Sequence, residues 1–531
     1  MQATVVSSSR SHPIFQKIFA RIRVEFPNPT ELGWALLSAL LLILAFPDYD
    51  FWPLAWIALI PLLLTISKRR SPLHALILGW IAGSVFFYAT CYWLTFSMIN
   101  YGNIPAWIAY LLLVPGAVVV GLFPGLFSAV LASSVRRSGA SAMLLAPFIW
   151  ISFEWARLGV TGQLWNALGY SQAYQPWLIQ SARWGGVYAV SFLIVAINAA
   201  LSYLILKRSR SGTLLASAVI GLISVSVLAT YWQSPGPSQM SETARLVALQ
   251  PNVPMHLQKS AEEMQELTLR HLEMSEAGLS ELSDDTNPRI VIWPESPMNF
   301  TYAGSSAFRD LVTTFAQTHR TSVLFNSQEP APNNGIHNSA VLVNEQGRLV
   351  SQYDKIRLLP FGEYVPLPRW LPGANLVSAI VGDFEAGTNY ALLPIGQAKA
   401  GVFICIESAY PSIARQFSRD GAEVLINISN DGYLGRTAVM RQHLANAIFR
   451  AVENARPVIR VTNTGITAYI EADGTLRDQT PVFETATRTW GVNKNAAGQT
   501  LYTRVGDLFP LLSSLLTAVV GLWSVVGHRP R

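Results

Sequence analysis

The run "GVFICIES", Gly401 to Ser408, ends an apolar segment on a cysteine and follows it with a glutamate. The chain holds one other cysteine, Cys91. A thiol becomes a strong nucleophile as thiolate, and its free pKa is about 8.5. A carboxylate beside it can take the proton and return it later to a leaving group. A lysine ammonium can hold the oxyanion of a tetrahedral intermediate, aided by the backbone N–H after the nucleophile, here that of Ile406. Two distant segments supply these groups: "IVIWPES" brings Glu295 and "SQYDK" brings Lys355. Glu, Lys and Cys together describe acyl transfer through a thioester. Each residue also has a plain structural use. Cys405 fits a small buried apolar position, Glu295 a helix cap, and Lys355 a surface pair with Asp354.

The elements that must carry them alternate in type. Strands are expected over Arg245–Gln250, Arg289–Trp293, Thr321–Asn326, "GVFIC", Ala422–Ser429 and Val458–Asn463. A hairpin over "SAVLVNEQGRLVSQYDK" turns at Glu345-Gln346-Gly347. Helices are expected over Ala261–Leu282, Ala307–His319, Pro411–Arg419 and Ala438–Asn454. This mixture predicts a layered α/β domain with helices covering apolar strands. All three reactive residues fall at strand ends, where active residues of α/β sheets gather. Arg450 and Glu453 lie three apart on an expected helix and read as an intrahelical pair.

The rest of the chain is different in kind. Of 531 residues, 51% are apolar and 13% charged, about half the charge usual in soluble proteins. The deficit is concentrated in long apolar runs: Leu32–Phe46, Phe51–Ser67, Leu73–Met98, Ile104–Val135, Ala140–Trp155, Gly185–Leu206, Leu214–Trp232 and Leu508–Val526. They predict a multi-pass α-helical membrane protein. Basic clusters alternate along the connections: Lys17, Arg21 and Arg23; Lys68, Arg69 and Arg70; Arg136 and Arg137; Lys207, Arg208 and Arg210; Arg529 and Arg531. The positive-inside pattern puts both termini in the cytoplasm and the α/β domain outside it. Four regions follow: an N-terminal segment 1–30 that reads equally as an interfacial amphipathic helix or a basic tail, a seven-span region 31–233, the α/β domain 234–505 behind the linker Ser234-Pro235-Gly236-Pro237-Ser238, and a final span with a short tail, 506–531. No cleavable signal peptide is expected. Phe148, Trp150 and Trp155 read as interface anchors.

Two cysteines exclude a disulfide framework, and the sequence has no CxxC, HExxH or GxxxxGK. No cofactor, metal or nucleic acid is expected.

The stretches "WPES", "DKIRLLPFGEYVP" and "GVFICIES" resemble the Glu-Lys-Cys signature of the nitrilase superfamily. With the apolar flanks, and with "LVALQPNV", "SNDGYLG" and "AVENARPVIRVTNTGITAYI", the chain is similar to the apolipoprotein N-acyltransferase family. The resemblance implies a nitrilase-like α-β-β-α sandwich standing outside the cytoplasm. It implies Glu295 as general base, Lys355 as oxyanion stabiliser and Cys405 as nucleophile. Glu363 in "FGEYVP" matches an auxiliary glutamate; Glu407, and Asn338 in "HNSA", match supporting positions. Ile406 stands where the family often has an aromatic residue, which puts substrate contacts there in doubt while leaving the backbone N–H in place. The implied reaction moves a fatty acyl chain from a membrane phospholipid to the N-terminal amine of a diacylglyceryl apolipoprotein in the bacterial inner membrane.

"LPRWLPGANLVSAIVG", Leu367–Gly382, is apolar for a soluble loop. It reads equally as a lid touching the bilayer or as a loop packed on its own domain. Two rival functions use the same features. A membrane-tethered amide hydrolase would share the three residues but need few spans. A transporter or receptor would carry ionisable residues inside its spans, where Glu154 is the main exception to their near absence.

Overall fold

The computed structural model describes residues 25–68, 71–232, 242–256, 259–282, 287–332, 335–360, 362–365, 384–493 and 498–526. Residues 1–24 of the N-terminal segment 1–30, and the apolar loop Leu367–Gly382 with its two readings, lie outside these residues.

Apolar sequence becomes helix through the first part of the chain. Among the described residues, four stretches are long and apolar enough to cross a membrane: Pro72–Thr90, Ala106–Thr161, Val187–Leu206 and Gly212–Ala229. Pro29–Ala45, Trp52–Ile66 and Leu508–Ser524 are apolar but shorter. Three expected runs are subdivided. Leu73–Met98 breaks at Cys91–Trp93 into Pro72–Thr90 and Leu94–Asn100. Phe51–Ser67 is a 3-10 turn, Trp52–Trp56, followed by the helix Ile60–Ile66. Ala140–Trp155 begins in 3-10 form over Gly139–Leu145 and continues as the helix Ala146–Thr161. Small residues let Pro72–Thr90 cross Ala106–Ser138 closely. A Cβ on Gly79 would strike the Ser128 hydroxyl, and one on Gly121 would strike Ser84. Such contacts matter within lipid, where apolar surface alone gives helices little reason to associate.

The α/β part contains two six-stranded sheets. The first has the order β12 (Ala486–Asn493), β1 (Glu242–Gln250), β2 (Arg289–Ile292), β3 (Ser322–Pro330), β4 (Ile336–Val343), β5 (Leu349–Asp354). The second runs β11 (Leu476–Arg477), β10 (Ala468–Ile470), β9 (Val458–Thr462), β8 (Val424–Ser429), β7 (Ala398–Ile404), β6 (Leu392–Ile395). Each has a parallel centre, β1-β2-β3 or β7-β8-β9, with antiparallel strands outside it.

Strand alternation assigns side chains to layers. Leu246, Ala248, Ile290, Ile292 and Leu324 share one core with Val402, Ile404, Ile426 and Ile428 of the opposite sheet. Their neighbours Val247, Leu249, Val291, Trp293 and Val323 pack with Phe308, Val312 and Phe315 of the helix Ser306–His319. The helices Pro411–Arg419 and Val439–Asn454 pack beside the second sheet. This is the expected α-β-β-α sandwich.

The membrane helices and the sandwich meet along Val439–Asn454. Arg450 and Glu453 pair at 2.9 Å, as their spacing predicts. Both are fully buried; Arg450 also donates to the Tyr170 hydroxyl at 3.1 Å and Glu453 accepts from the Val187 N–H at 2.9 Å.

Candidate active site

Three strand ends converge, one from each expected segment. β2 is followed by Trp293-Pro294-Glu295, β5 runs directly into Lys355, and β7 into Cys405. The chain turns sharply at Cys405, where φ is +51°, and enters a 3-10 helix over Cys405–Ala409. A non-glycine residue in this left-handed region costs energy and persists only where its surroundings hold it.

Glu407 supplies part of that hold. One carboxylate oxygen accepts from the Ile404 N–H at 2.8 Å. The other accepts from the Tyr353 hydroxyl and the N–H groups of Ile356 and Arg357 at 2.8–3.0 Å. The buried carboxylate thus ties the end of β7 to the residues just after Lys355, with four donors offsetting its desolvation.

Lys355 is 1% exposed at its side chain. Its ammonium lies 2.9 Å from Glu363 Oε1 and 3.6 Å from Glu295 Oε1. Only the first is within hydrogen-bond reach, which leaves N–H groups free to meet a developing oxyanion. Burial, the largest single influence, works against the charge. The Glu363 and Glu295 carboxylates, with Cys405, outweigh it and hold the lysine above its ordinary range. The surface pair with Asp354 does not form. That carboxylate accepts instead from Ser339 and Gln352.

Asn338 joins the two glutamates from β4. Its amide nitrogen donates to Glu295 Oε1 at 2.9 Å and Glu363 Oε1 at 2.6 Å, while its oxygen accepts from Asn326 at 2.7 Å. Glu363 Oε2 takes the Leu359 N–H at 2.7 Å, and Glu295 Oε2 takes the Asn430 N–H at 3.1 Å. Glu295 is therefore held by its neighbours and caps no helix.

Burial pushes the Cys405 thiol up, Glu295 pushes it further, and Lys355 opposes them. A thiol held up in this way needs a base beside it before it can act as a nucleophile. Ile406 is buried at the second position of the 3-10 helix, where backbone N–H groups lack intrahelical acceptors.

Sequence reasoning missed a second layer. Asp431, just past β8, lies 2.7 Å from His443 Nδ1 and 2.6 Å from Arg460 Nη2. Burial opposes its charge, but Arg460 and His443 hold it well below the usual carboxylate range. His443 Nε2 reaches the Cys405 carbonyl at 2.9 Å. The one signal was the polar cluster Ser429-Asn430-Asp431 closing an apolar strand. A short membrane-side helix covers the same region. The Ser97 hydroxyl donates to the Tyr433 carbonyl at 2.7 Å, and the Tyr101 and Tyr433 rings lie 6.1 Å apart.

Residues 38–200 match the model of the apolipoprotein N-acyltransferase N-terminal domain, and residues 243–500 match carbon-nitrogen hydrolase. An apolipoprotein N-acyltransferase of Geobacter metallireducens is 32% identical over 90% of this chain and 91% of its own length. The chain belongs to the apolipoprotein N-acyltransferase family. A family member of Thermotoga maritima is 29% identical, over 92% of this chain and 93% of its own. Among solved structures, a nitrilase-superfamily protein of Saccharomyces cerevisiae matches 49% of this chain and 93% of its own, at 16% identity and a TM-score of 0.38.

Proposed function

We propose that this protein transfers a fatty acyl chain from a phospholipid to the N-terminal α-amine of a diacylglyceryl-cysteine apolipoprotein, through a thioester on Cys405. The observation that carries the reading is the convergence of Glu295, Lys355 and Cys405 from three strand ends in a chain of this family.

Glu295 takes the thiol proton as sulfur attacks the ester carbonyl. The carbonyl oxygen becomes an oxyanion between the Lys355 ammonium and the Ile406 N–H. The ester C–O bond breaks, Glu295 returns the proton, and a lysophospholipid leaves. The acceptor amine then attacks the thioester carbonyl and gives a proton to Glu295. The C–S bond breaks, the proton returns to sulfur, and an amide remains. Glu363 and Asn338 hold Lys355 and Glu295 in register, and Glu407 fixes the two loops.

The α/β domain, 234–505, stands on the periplasmic side of the bacterial inner membrane in this proposal. There, neither ATP nor acyl-CoA is at hand. An ester already activated within the bilayer is the fitting donor, and an amine outcompetes water for a thioester in a water-poor site.

Incubating the purified protein with phospholipid alone should add one fatty-acyl mass to the Cys405 peptide, removable by neutral hydroxylamine. Adding a diacylglyceryl-cysteine peptide should discharge it to that peptide. An adduct that persists in Cys405→Ala would refute the mechanism.

A further inference from the structure

We propose that His443 is a positioning residue that works as an imidazolium, acting through the peptide between Cys405 and Ile406. The proposal rests on the reading of Cys405 as nucleophile and of the Ile406 N–H as oxyanion donor.

Both ring nitrogens of His443 face acceptors. His443 Nε2 lies 2.9 Å from the Cys405 carbonyl oxygen, and Nδ1 lies 2.7 Å from Asp431 Oδ1. A carbonyl oxygen only accepts. An ionised carboxylate only accepts as well, and Asp431 is kept ionised by Arg460 at 2.6 Å on its other oxygen and by the Ser429 hydroxyl at 2.9 Å. Neutral imidazole carries one N–H, so it would leave a nitrogen lone pair facing an oxygen lone pair at one end. The imidazolium donates at both ends. Ring flipping does not change the outcome, because both partners remain acceptors.

The surroundings suit that charge. Asp431 faces the ring from the end of β8, between His443 and Arg460 of β9. The Trp165 ring packs against it from the membrane side, with centroids 5.6 Å apart. The Cys405 turn brings the thiol, beyond which lie Glu295, Lys355 and Glu363. On its own helix, Arg441 pairs with Asp50 and is not directed at the ring. The nearest formal charge to the imidazole is the Asp431 carboxylate.

What the imidazolium would do follows from peptide geometry. The Cys405 carbonyl and the Ile406 N–H are opposite ends of one planar trans unit. A cationic donor on the carbonyl pins that plane, and so fixes where the N–H points. It also draws electron density toward the oxygen, which makes the N–H a stronger donor to the acyl oxyanion. The same bond helps hold Cys405 at φ +51°. The neighbouring Gln442 is bonded to Pro47, Thr90, Trp93 and Trp165. The membrane helices therefore set the position from which His443 reaches the nucleophile.

Two measurements on the full-length protein in detergent micelles test this. The first labels histidine with nitrogen-15 and assigns His443 by the signals lost in His443→Gln. With the variant folded, or with His443→Asn in its place should it not fold, both ring nitrogens of His443 should carry the protonated signature under the conditions of the acyl-transfer assay; one unprotonated ring nitrogen would overturn the proposal. The second follows steady-state transfer of acyl chains from phospholipid to a diacylglyceryl-cysteine peptide. A folded His443→Gln should lose about tenfold in kcat, less than the about 10²- to 10³-fold for removing an oxyanion donor outright, with KM within about twofold. Wild-type kcat in that variant would overturn the role of His443 while leaving Cys405 as nucleophile. An acyl adduct in Cys405→Ala would instead overturn the parent reading, and it would do so independently of the nitrogen-15 result.

Discussion

The Lys355 ammonium sits closer to Glu363, at 2.9 Å, than to Glu295, at 3.6 Å. The division suits two roles. Glu363 anchors the lysine, while Glu295 keeps a looser contact with it and, in the proposed mechanism, takes the thiol proton.

This pairing predicts an alkaline signature. Partners hold Lys355 above its ordinary value against the opposing effect of burial. A raised folded pKa gives stability that is complete below the unfolded value, about 10.4. It fades only as pH rises through the higher folded value. Wild-type stability and acylation rate should thus show no loss from Lys355 between pH 7 and 10. Glu363→Gln removes the largest of the charges that favour the ammonium, so burial pulls its pKa down. The variant should lose activity by about tenfold at pH 7 and further as pH rises toward 10. Acylation rates and thermal unfolding across that range check it; parallel alkaline limbs in the two proteins would refute the assignment.

Glu295 is expected to act on Cys405 in two opposite ways. Its charge raises the thiol pKa, yet as general base it would accelerate attack. Glu295→Gln should therefore speed alkylation of Cys405 by iodoacetamide at pH 8, by about threefold to tenfold for a neighbouring charge removed. Acylation by phospholipid should slow by about 10²- to 10⁴-fold in the same protein. Alkylation and acylation falling together would indicate a disturbed fold, and acylation at the wild-type rate would exclude Glu295 as the base.

The strand-end residues were legible because apolar runs stop on Cys405, and shortly before Glu295, with nothing else in the composition to explain them. Glu363, Asn338 and Glu407 came through resemblance alone. Nothing local marks a glutamate that four donors will satisfy. His443 was hidden for a different reason: every residue of Val439–Asn454 other than Arg441 is buried, so no polar face reveals which side meets the site. β3 runs four residues beyond Asn326, where its apolar pattern ends. Its continuation through Pro330 is polar, and buried Glu329 is stabilised there by the N–H groups of Tyr302 and Ala303. The break at Cys91–Trp93 was likewise invisible, since Trp93 is apolar by composition. Its indole turns to bond Gln442, a residue 349 positions away.

Topology has its own test. Lys207 and Arg208 precede the helix Arg210–Trp232, Arg210 opens it, and the α/β domain follows it. Reporter fusions at Ser209 and Ser238 should report opposite compartments, with Ser238 outside the cytoplasm. Both fusions reporting cytoplasm would refute the placement of the domain, and with it the case for a phospholipid donor.

Gln442 joins the sandwich to the membrane helices through a single amide. Its oxygen accepts from Trp93 Nε1 at 3.0 Å and Trp165 Nε1 at 2.9 Å. Its nitrogen donates to the carbonyls of Pro47 and Thr90, each at 3.1 Å. All the hydrogen-bonding capacity of the side chain is used, and its partners lie at, or a few residues beyond, the ends of membrane-side helices. Gln442→Leu keeps similar bulk but removes the whole set. Trp93 retains the Thr90 carbonyl at 3.0 Å, whereas Trp165 and Pro47 lose the bonds to Gln442. At about 1–3 kcal/mol for each buried group left unsatisfied, the expected loss is about 3 kcal/mol. It should lower the unfolding temperature by several degrees in detergent. Because His443 is the next residue, acylation should slow as well. Trp165→Phe combined with Gln442→Leu should recover part of the stability, since the stranded indole N–H is then absent. An unchanged unfolding temperature in Gln442→Leu would show that this amide does not couple the two parts of the molecule.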